Sequence, residues 1–123
     1  MTASTGIEPK QLELFPYQAF DDYQNWAMSK AVYPTEDVAS SFYPILGLVS
    51  EVGELAALMK REIRDDKKYS KESVKKELGD ILWYLAAVCY EEGALLSEVV
   101  AESIEKLEGR KKRGTLKGSG DDR

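Results

Sequence analysis

The sequence predicts an all-α fold, a four-helix bundle-like arrangement assembled from more than one copy of the chain. Three observations carry this prediction. Apolar residues recur at spacings of three and four along four segments, which is the period of one helix face. Proline, glycine and serine sit where those segments begin and end. No segment reads as a strand. At 123 residues the chain fits one domain, and a domain of that size buries only about two-thirds of its unfolded surface. Two long, heavily apolar helices in so short a chain suggest a core shared between copies.

Each element has its own justification. Residues 1–15 mix Thr, Ser, Gly and Pro with little periodicity and are read as a flexible arm. Pro16 is placed to open a helix, along which Tyr17, Phe20, Tyr23, Trp26 and Ala27 form a stripe that Pro34 ends. Thr35, followed by Glu36 and Asp37, resembles a helix start. Pro44 then either kinks the second helix or marks its beginning. From Ile45 to Arg64 the pattern is helical, with Leu48, Val52, Leu55, Leu58 and Met59 on one stripe. Asp65 to Tyr69 is a charged connection. Ser70 can cap a third helix running to about Glu92, with Val74, Leu78, Ile81, Leu82, Leu85, Val88 and Cys89 as its apolar face. Gly93 can stop it. Ser97 can cap a fourth helix to about Lys112, with a stripe of Val100, Ile104 and Leu107. The division is therefore an arm (1–15), a helical domain (16–113) and a flexible, basic, glycine-containing tail (114–123). Short connections between four helices imply a bundle.

Composition excludes several chemistries. The chain has no histidine and one cysteine, Cys89. That removes Ser-His-Asp and Cys-His catalysis, imidazole bases, zinc-hydrolase sites and intrachain disulfides. A di-iron carboxylate bundle needs Glu-x-x-His pairs and is set aside. A P-loop NTPase lacks its glycine-rich signature here. The net charge is -5, but residues 109–123 carry +4, which leaves the body at -9. An acidic body argues against DNA or RNA as partner, whereas a basic tail suits a small phosphate ligand. No apolar stretch is expected to reach membrane-span length, and the first residues lack a secretory pattern. A cytoplasmic protein without a membrane partner is the resulting expectation.

The chemistry lies in two acidic pairs. Glu51 and Glu54 are three residues apart and project from one helix face. Glu77 and Asp80 repeat the arrangement on the next long helix. If those helices run antiparallel, the four carboxylates can converge. Four hard oxygen donors without nitrogen or sulfur suit Mg²⁺, and Mn²⁺ as well. Similar spacings occur at Glu62 and Asp65, Glu102 and Glu105, and Glu105 and Glu108, where a solvated face is explanation enough. The chosen pairs differ in setting. They sit in the apolar runs GLVSEVGELAAL and ELGDILWYLAAV, where carboxylates are costly unless they coordinate something. Gly53 and Gly79 each lie inside a pair, at a cost of about 1 kcal/mol relative to alanine in a helix. Close helix approach or ligand access would explain them.

With these words and spacings the sequence resembles the MazG-like, all-α nucleotide pyrophosphohydrolases. The family pattern is Glu-x-x-Glu, a spacer, then Glu-x-x-Asp. Here it is Glu51-Val52-Gly53-Glu54, a spacer of 22 residues, then Glu77-Leu78-Gly79-Asp80, followed by the tail KLEGRKKRGTLKGSGDDR. The resemblance runs from Tyr17 to Arg123. It implies Mg²⁺ on Glu51, Glu54, Glu77 and Asp80. It implies cleavage of an NTP or dNTP between the α and β phosphates, giving a nucleoside monophosphate and pyrophosphate. It also implies a homodimer or homotetramer with sites near subunit interfaces. Two departures stand out. Some relatives carry a further Glu where this chain has Ser50, and many have Asn where Ser103 precedes Lys106 by three.

Within that reading a metal ion lowers the pKa of a bound water, and a carboxylate accepts its proton: Glu54 first, Glu51 second. Lys60, Arg64, Lys106, Arg113, Lys117 and Arg123 are the candidate phosphate contacts, the last three belonging to a stretch whose glycines permit close backbone approach. Gln18, Trp26, Trp83 and Tyr84 are the candidate base contacts, although aromatics at helical spacing more often build core. The alternative is a non-catalytic helical interaction or scaffold module. It accounts for the apolar faces but not for four acids within them or for the basic tail. Base and sugar preference lie beyond the sequence.

Overall fold

A computed structural model describes residues 16–34 and 36–123. The N-terminal arm and Thr35 lie outside the described residues. The rest comprises four helices in chain order, α1 (Tyr17–Ser29), α2 (Ala39–Asp65), α3 (Lys71–Glu91) and α4 (Leu96–Arg113), with no strand among the described residues. The all-α prediction therefore holds.

Local chemistry sets most boundaries near where the sequence puts them. Pro16 stands immediately before α1, and its carbonyl accepts from the Ala19 amide at 3.0 Å. α1 ends at Ser29, short of Pro34. α2 begins at Ala39, where the Asp37 carboxylate accepts from the Ala39 amide at 2.8 Å. Asp37 itself has φ +71°, a left-handed conformation that Asp tolerates better than most residues. The helix passes through Pro44, which is buried in its second turn. There the ring removes one hydrogen bond, to the Ser40 carbonyl, and the helix continues. Ser70 caps α3 by accepting from the Ser73 amide at 3.1 Å. Gly93, at φ +73°, turns the chain into α4.

Two expectations are corrected. Ser97 does not cap α4, which starts one residue earlier. Its amide and hydroxyl instead donate to the Asp21 carboxylate of α1, at 3.0 and 2.8 Å. The neighbouring Leu96 amide donates to the Gln24 side-chain oxygen at 2.9 Å. The start of α4 is thus capped from another helix, which no local pattern encodes. Second, α2 is long and apolar enough to cross a membrane by length and composition, with a mean hydropathy of 1.4 over its most apolar stretch. The helix reaches back through Pro44 to Ala39, ahead of Ile45, which lengthens the run.

α2 packs along α3 and on no other helix among the described residues, while α1 lies against both α3 and α4. Gly47 meets Tyr84, Glu51 lies by Asp80, and Leu58 and Ser73 line one pocket, so α2 and α3 run antiparallel. The core sits on the other side of α3, where Ala27, Ala86, Cys89 and Leu96 are buried among Phe20, Tyr23, Met28, Trp83 and Ala94. Apart from Leu96 these buried residues are small, and the chain leaves many large apolar side chains exposed, more of them on α2 than on any other helix. A modest internal core with a bare helix face beside it is the imbalance that a shared core would correct.

Candidate metal centre

The antiparallel pairing of α2 and α3 brings sequence-distant acids together. One carboxylate oxygen from each of Glu51, Glu77 and Asp80 lies within 4.8 Å of the other two. Glu51 and Glu77 are partly buried and Asp80 is exposed, so the group opens to solvent on the Asp80 side. Glu54 is exposed one turn further along α2 and stands outside this group of three, although its charge still acts on Glu51. No member of the group has a Lys or Arg ion-pair partner among the described residues.

Electrostatics marks the cost of this arrangement. The Glu51 carboxyl is held above the ordinary carboxylate range, first by burial and then by the Asp80 charge. The hydrogen bond its protonated form makes with Glu77, and the charges of Glu77 and Glu54, add to that effect. Like charges within a few ångströms disfavour joint ionisation unless a cation or a proton sits among them. Three hard oxygens of this kind, open on one side, fit a hard divalent cation that keeps water or substrate oxygens in its remaining positions.

Tyrosines border the acids. Tyr84 is pushed above its ordinary pKa by burial, then by its neighbour Tyr43 and by the charges of Glu51 and Asp80. Tyr23 of α1 is raised by burial and by Asp80. Tyr84 owes its place to Gly47, because a Cβ there would run into the Tyr84 ring. Gly53 and Gly79 have nothing within 4 Å of an added Cβ, so close helix approach within the chain does not explain them. Sequence reasoning missed Gly47. Its only signal is a glycine one turn before the first motif acid and facing the partner helix.

The other predicted residues are spread more widely. Trp83 stands edge-on to Tyr84 and Tyr33, with ring centroids 5.1 and 6.3 Å apart. Trp26 is more than half exposed, 6.0 Å from the Tyr23 ring. Gln18 donates to Asp22 at 3.0 Å on the exposed side of α1. Lys60 and Lys117 are exposed, and Arg64 is engaged bidentately by its neighbour Asp65 at 2.7 Å. Lys106 sits 3.6 Å from Asp121. Arg113 donates to the Arg123 carbonyl at 2.8 Å, and Arg123 donates to the carbonyls of Thr115, Leu116 and Gly120. The tail therefore folds back over the end of α4. Lys106 and then Arg110 hold the Asp121 carboxyl below the usual range.

Comparison with known proteins bears on the whole arrangement. Residues 44–115, which contain both acidic pairs, match the MazG nucleotide pyrophosphohydrolase domain. Over 111 residues the chain is 35% identical to the Gene 37 protein of Mycobacterium phage L5, covering 84% of this chain and 97% of that relative. That relative's name carries no activity. No solved structure matches the chain. A domain match across more than half the chain, with an acidic cluster assembled from that same segment, establishes that the protein belongs to the MazG nucleotide pyrophosphohydrolase family.

Proposed function

We propose that this protein is a divalent-metal-dependent pyrophosphohydrolase that cleaves an NTP or dNTP between its α and β phosphates, releasing a nucleoside monophosphate and pyrophosphate. The observation that carries the reading is the convergence of Glu51, Glu77 and Asp80 oxygens within 4.8 Å on the matched segment. Glu51, Glu77 and Asp80 would hold the ion, with Glu54 joining once a ligand draws it in. Mg²⁺ is the expected ion and Mn²⁺ an acceptable substitute. When bound, such an ion neutralises phosphate oxygens and acidifies a coordinated water.

The chain's own residues divide the remaining work. Glu54 is the first choice to accept the proton of the attacking water, because it is solvent-exposed yet one turn from Glu51. Glu51 is the second choice, as a carboxylate of the same converging group. Lys60, Arg64, Lys106, Arg113, Lys117 and Arg123 form the pool of phosphate contacts. Arg64 would have to leave Asp65 to serve, and Arg113 and Arg123 would have to leave the tail's carbonyls. Trp26, with its exposed ring, and Trp83 and Tyr84, beside Asp80, are candidate base contacts, with Gln18 as a polar one. The helical domain of residues 16–113 supplies the metal ligands, and the tail of residues 114–123 supplies further cations.

The proposal includes a homodimer or homotetramer. Phe42, Ile45, Val49, Val52, Ala56, Met59 and Ile63 are all exposed on α2. They recur with alternating steps of three and four, the a/d seam of a helix that packs against another helix.

The test is pyrophosphate release from a panel of canonical and modified NTPs and dNTPs, with Mg²⁺ and with chelator. Activity should require the metal. Glu54→Gln and Asp80→Asn should each lower turnover by at least about 100-fold while circular dichroism stays unchanged. Full activity in either purified variant would remove it from the mechanism.

A further inference from the structure

At the end of α4 a buried cation is poorly satisfied. Arg110 is only 5% exposed. One of its terminal nitrogens, Nη2, donates to the Gly120 carbonyl at 3.3 Å, the Asp121 carbonyl at 3.1 Å and Asp121 Oδ1 at 3.4 Å. Its Nε is buried without a partner. The same Asp121 oxygen is 3.6 Å from the Lys106 Nζ. Good charge-assisted N–H···O bonds are about 2.7–2.9 Å long, so both pairings are loose. The Asp121 side chain is 87% exposed. A guanidinium removed from water is therefore matched to one distant, well-solvated carboxylate oxygen. A buried charge in that position remains open to a better anion.

The segment that supplies Asp121 is held together by its own hydrogen bonds. Arg123 ties it internally, donating to Thr115, Leu116 and Gly120 carbonyls at 3.0, 3.2 and 2.6 Å. Gly114, Gly118 and Gly120 all have positive φ, a conformation that costs glycine little. The side-chain links from this turn back to α4 are those of Lys106, Arg110 and Arg113. Beside Asp121 lies a cavity of about 340 Å³ lined by Val99, Glu102, Ser103 and Lys106. Glu102 gives one wall of it a negative charge, so a polyanion is favoured only at the Lys106 side.

We propose that Lys106 and Arg110 form an anion site that the Asp121 carboxylate occupies, and that a phosphate group takes this site by displacing the tail. Asp121 is then an internal competitor. A phosphate brings several charged oxygens where Asp121 brings a single carboxylate oxygen, and displacement of the tail would open the buried, unpartnered Arg110 Nε to it. The identity of the ligand as a phosphate rests on the pyrophosphohydrolase reading, whereas the site itself rests on Arg110 and its loose partner.

The experiment is calorimetric binding of inorganic pyrophosphate to the full chain in chelator, which needs neither metal nor turnover. Asp121→Asn is compared with Asp122→Asn. The control makes the same change in net charge at a neighbour that has no ion pair among the described residues. Asp121→Asn should bind pyrophosphate about two- to five-fold more tightly than Asp122→Asn, the range expected for removing a weak internal ion pair. Pyrophosphate should also speed tryptic cleavage after Lys117 in the wild type, and Asp121→Asn should be cleaved fast without it. Equal affinities, weaker binding by Asp121→Asn, or no binding in either variant overturns the anion site. Pyrophosphate binding of the expected kind in a protein that hydrolyses no nucleotide would leave the site standing and refute the enzymatic reading instead.

Discussion

Gly47 shows how a single residue can matter to the site without belonging to it. A side chain there would occupy the volume of the Tyr84 ring, and Tyr84 borders the charges of Glu51 and Asp80. Gly47→Val should cost about 1–3 kcal/mol by overpacking, read as a lower urea midpoint. It should also lower turnover by displacing Tyr84, and unchanged values for both would refute the packing argument. Tyr33 makes a second residue-scale case, with a pH dependence. Its buried hydroxyl donates to Glu91 at 2.9 Å, and its ring stacks on Tyr43 at 5.5 Å. Burial, then the hydrogen bond to Glu91, then the charges of Glu91 and Tyr90 raise its pKa above the ordinary value of 10. The folded state therefore keeps a proton that the unfolded state releases above pH 10. The stability Tyr33 contributes is full below that pH and is lost as pH climbs toward the folded value. Tyr33→Phe should cost about 1 kcal/mol at neutral pH and should flatten the alkaline loss of stability. Equally steep alkaline limbs in both proteins would count against it. The acids were legible in the sequence because their spacing and apolar setting are local. Gly47 and Tyr33 were not, because what they touch lies a whole helix away.

At the scale of the helices, the same division between local and distant causes decides what could be read. Ser70 and Gly93 act on their own neighbours, and both were identifiable from sequence. The start of α4 was not, because its capping groups sit on α1. Gln24 is buried and fully occupied: its side-chain oxygen accepts from Leu96, and its amide donates to the carbonyls of Ala86 and Ala94 at 3.3 and 3.1 Å. Asp21 accepts from Ser97 twice, with its charge at the positive end of the α4 dipole. These two residues join three helices at one point. Asp21→Ala should therefore cost about 1–2 kcal/mol, as loss of a cap does. Gln24→Leu should cost about 2–4 kcal/mol by leaving several backbone groups unpaired. Denaturant melts of the purified variants check the order. A larger loss for Asp21→Ala than for Gln24→Leu would show that burial is not what makes this junction costly to break.

For the molecule as a whole, the unresolved balance is between a small internal core and the bare face of α2. The seam from Phe42 to Ile63 spans three heptads with every member exposed, and Ile63 is 87% exposed. The sequence announced an apolar helix, but it could not say which side of that helix the chain itself would cover. Only the antiparallel docking of α3 makes the remainder visible as a second, unused face. Burying such a seam against another copy would gain about 1.5–3 kcal/mol for each large side chain fully covered, against an association cost of at least about 4 kcal/mol. Several side chains acting together exceed that cost, so a stable assembly is expected at micromolar concentration. A charge in the centre of the seam should undo it, because a carboxylate cannot be buried there without a partner. Val49→Asp should thus sediment as the 13.8 kDa chain under conditions where the wild type sediments as a multiple of it. An assembly resting on this face should also lose thermal stability along with its mass, since the chain alone has so little core. A wild-type protein that is monomeric and stable at those concentrations would mean that the exposed face of α2 serves something other than a second copy.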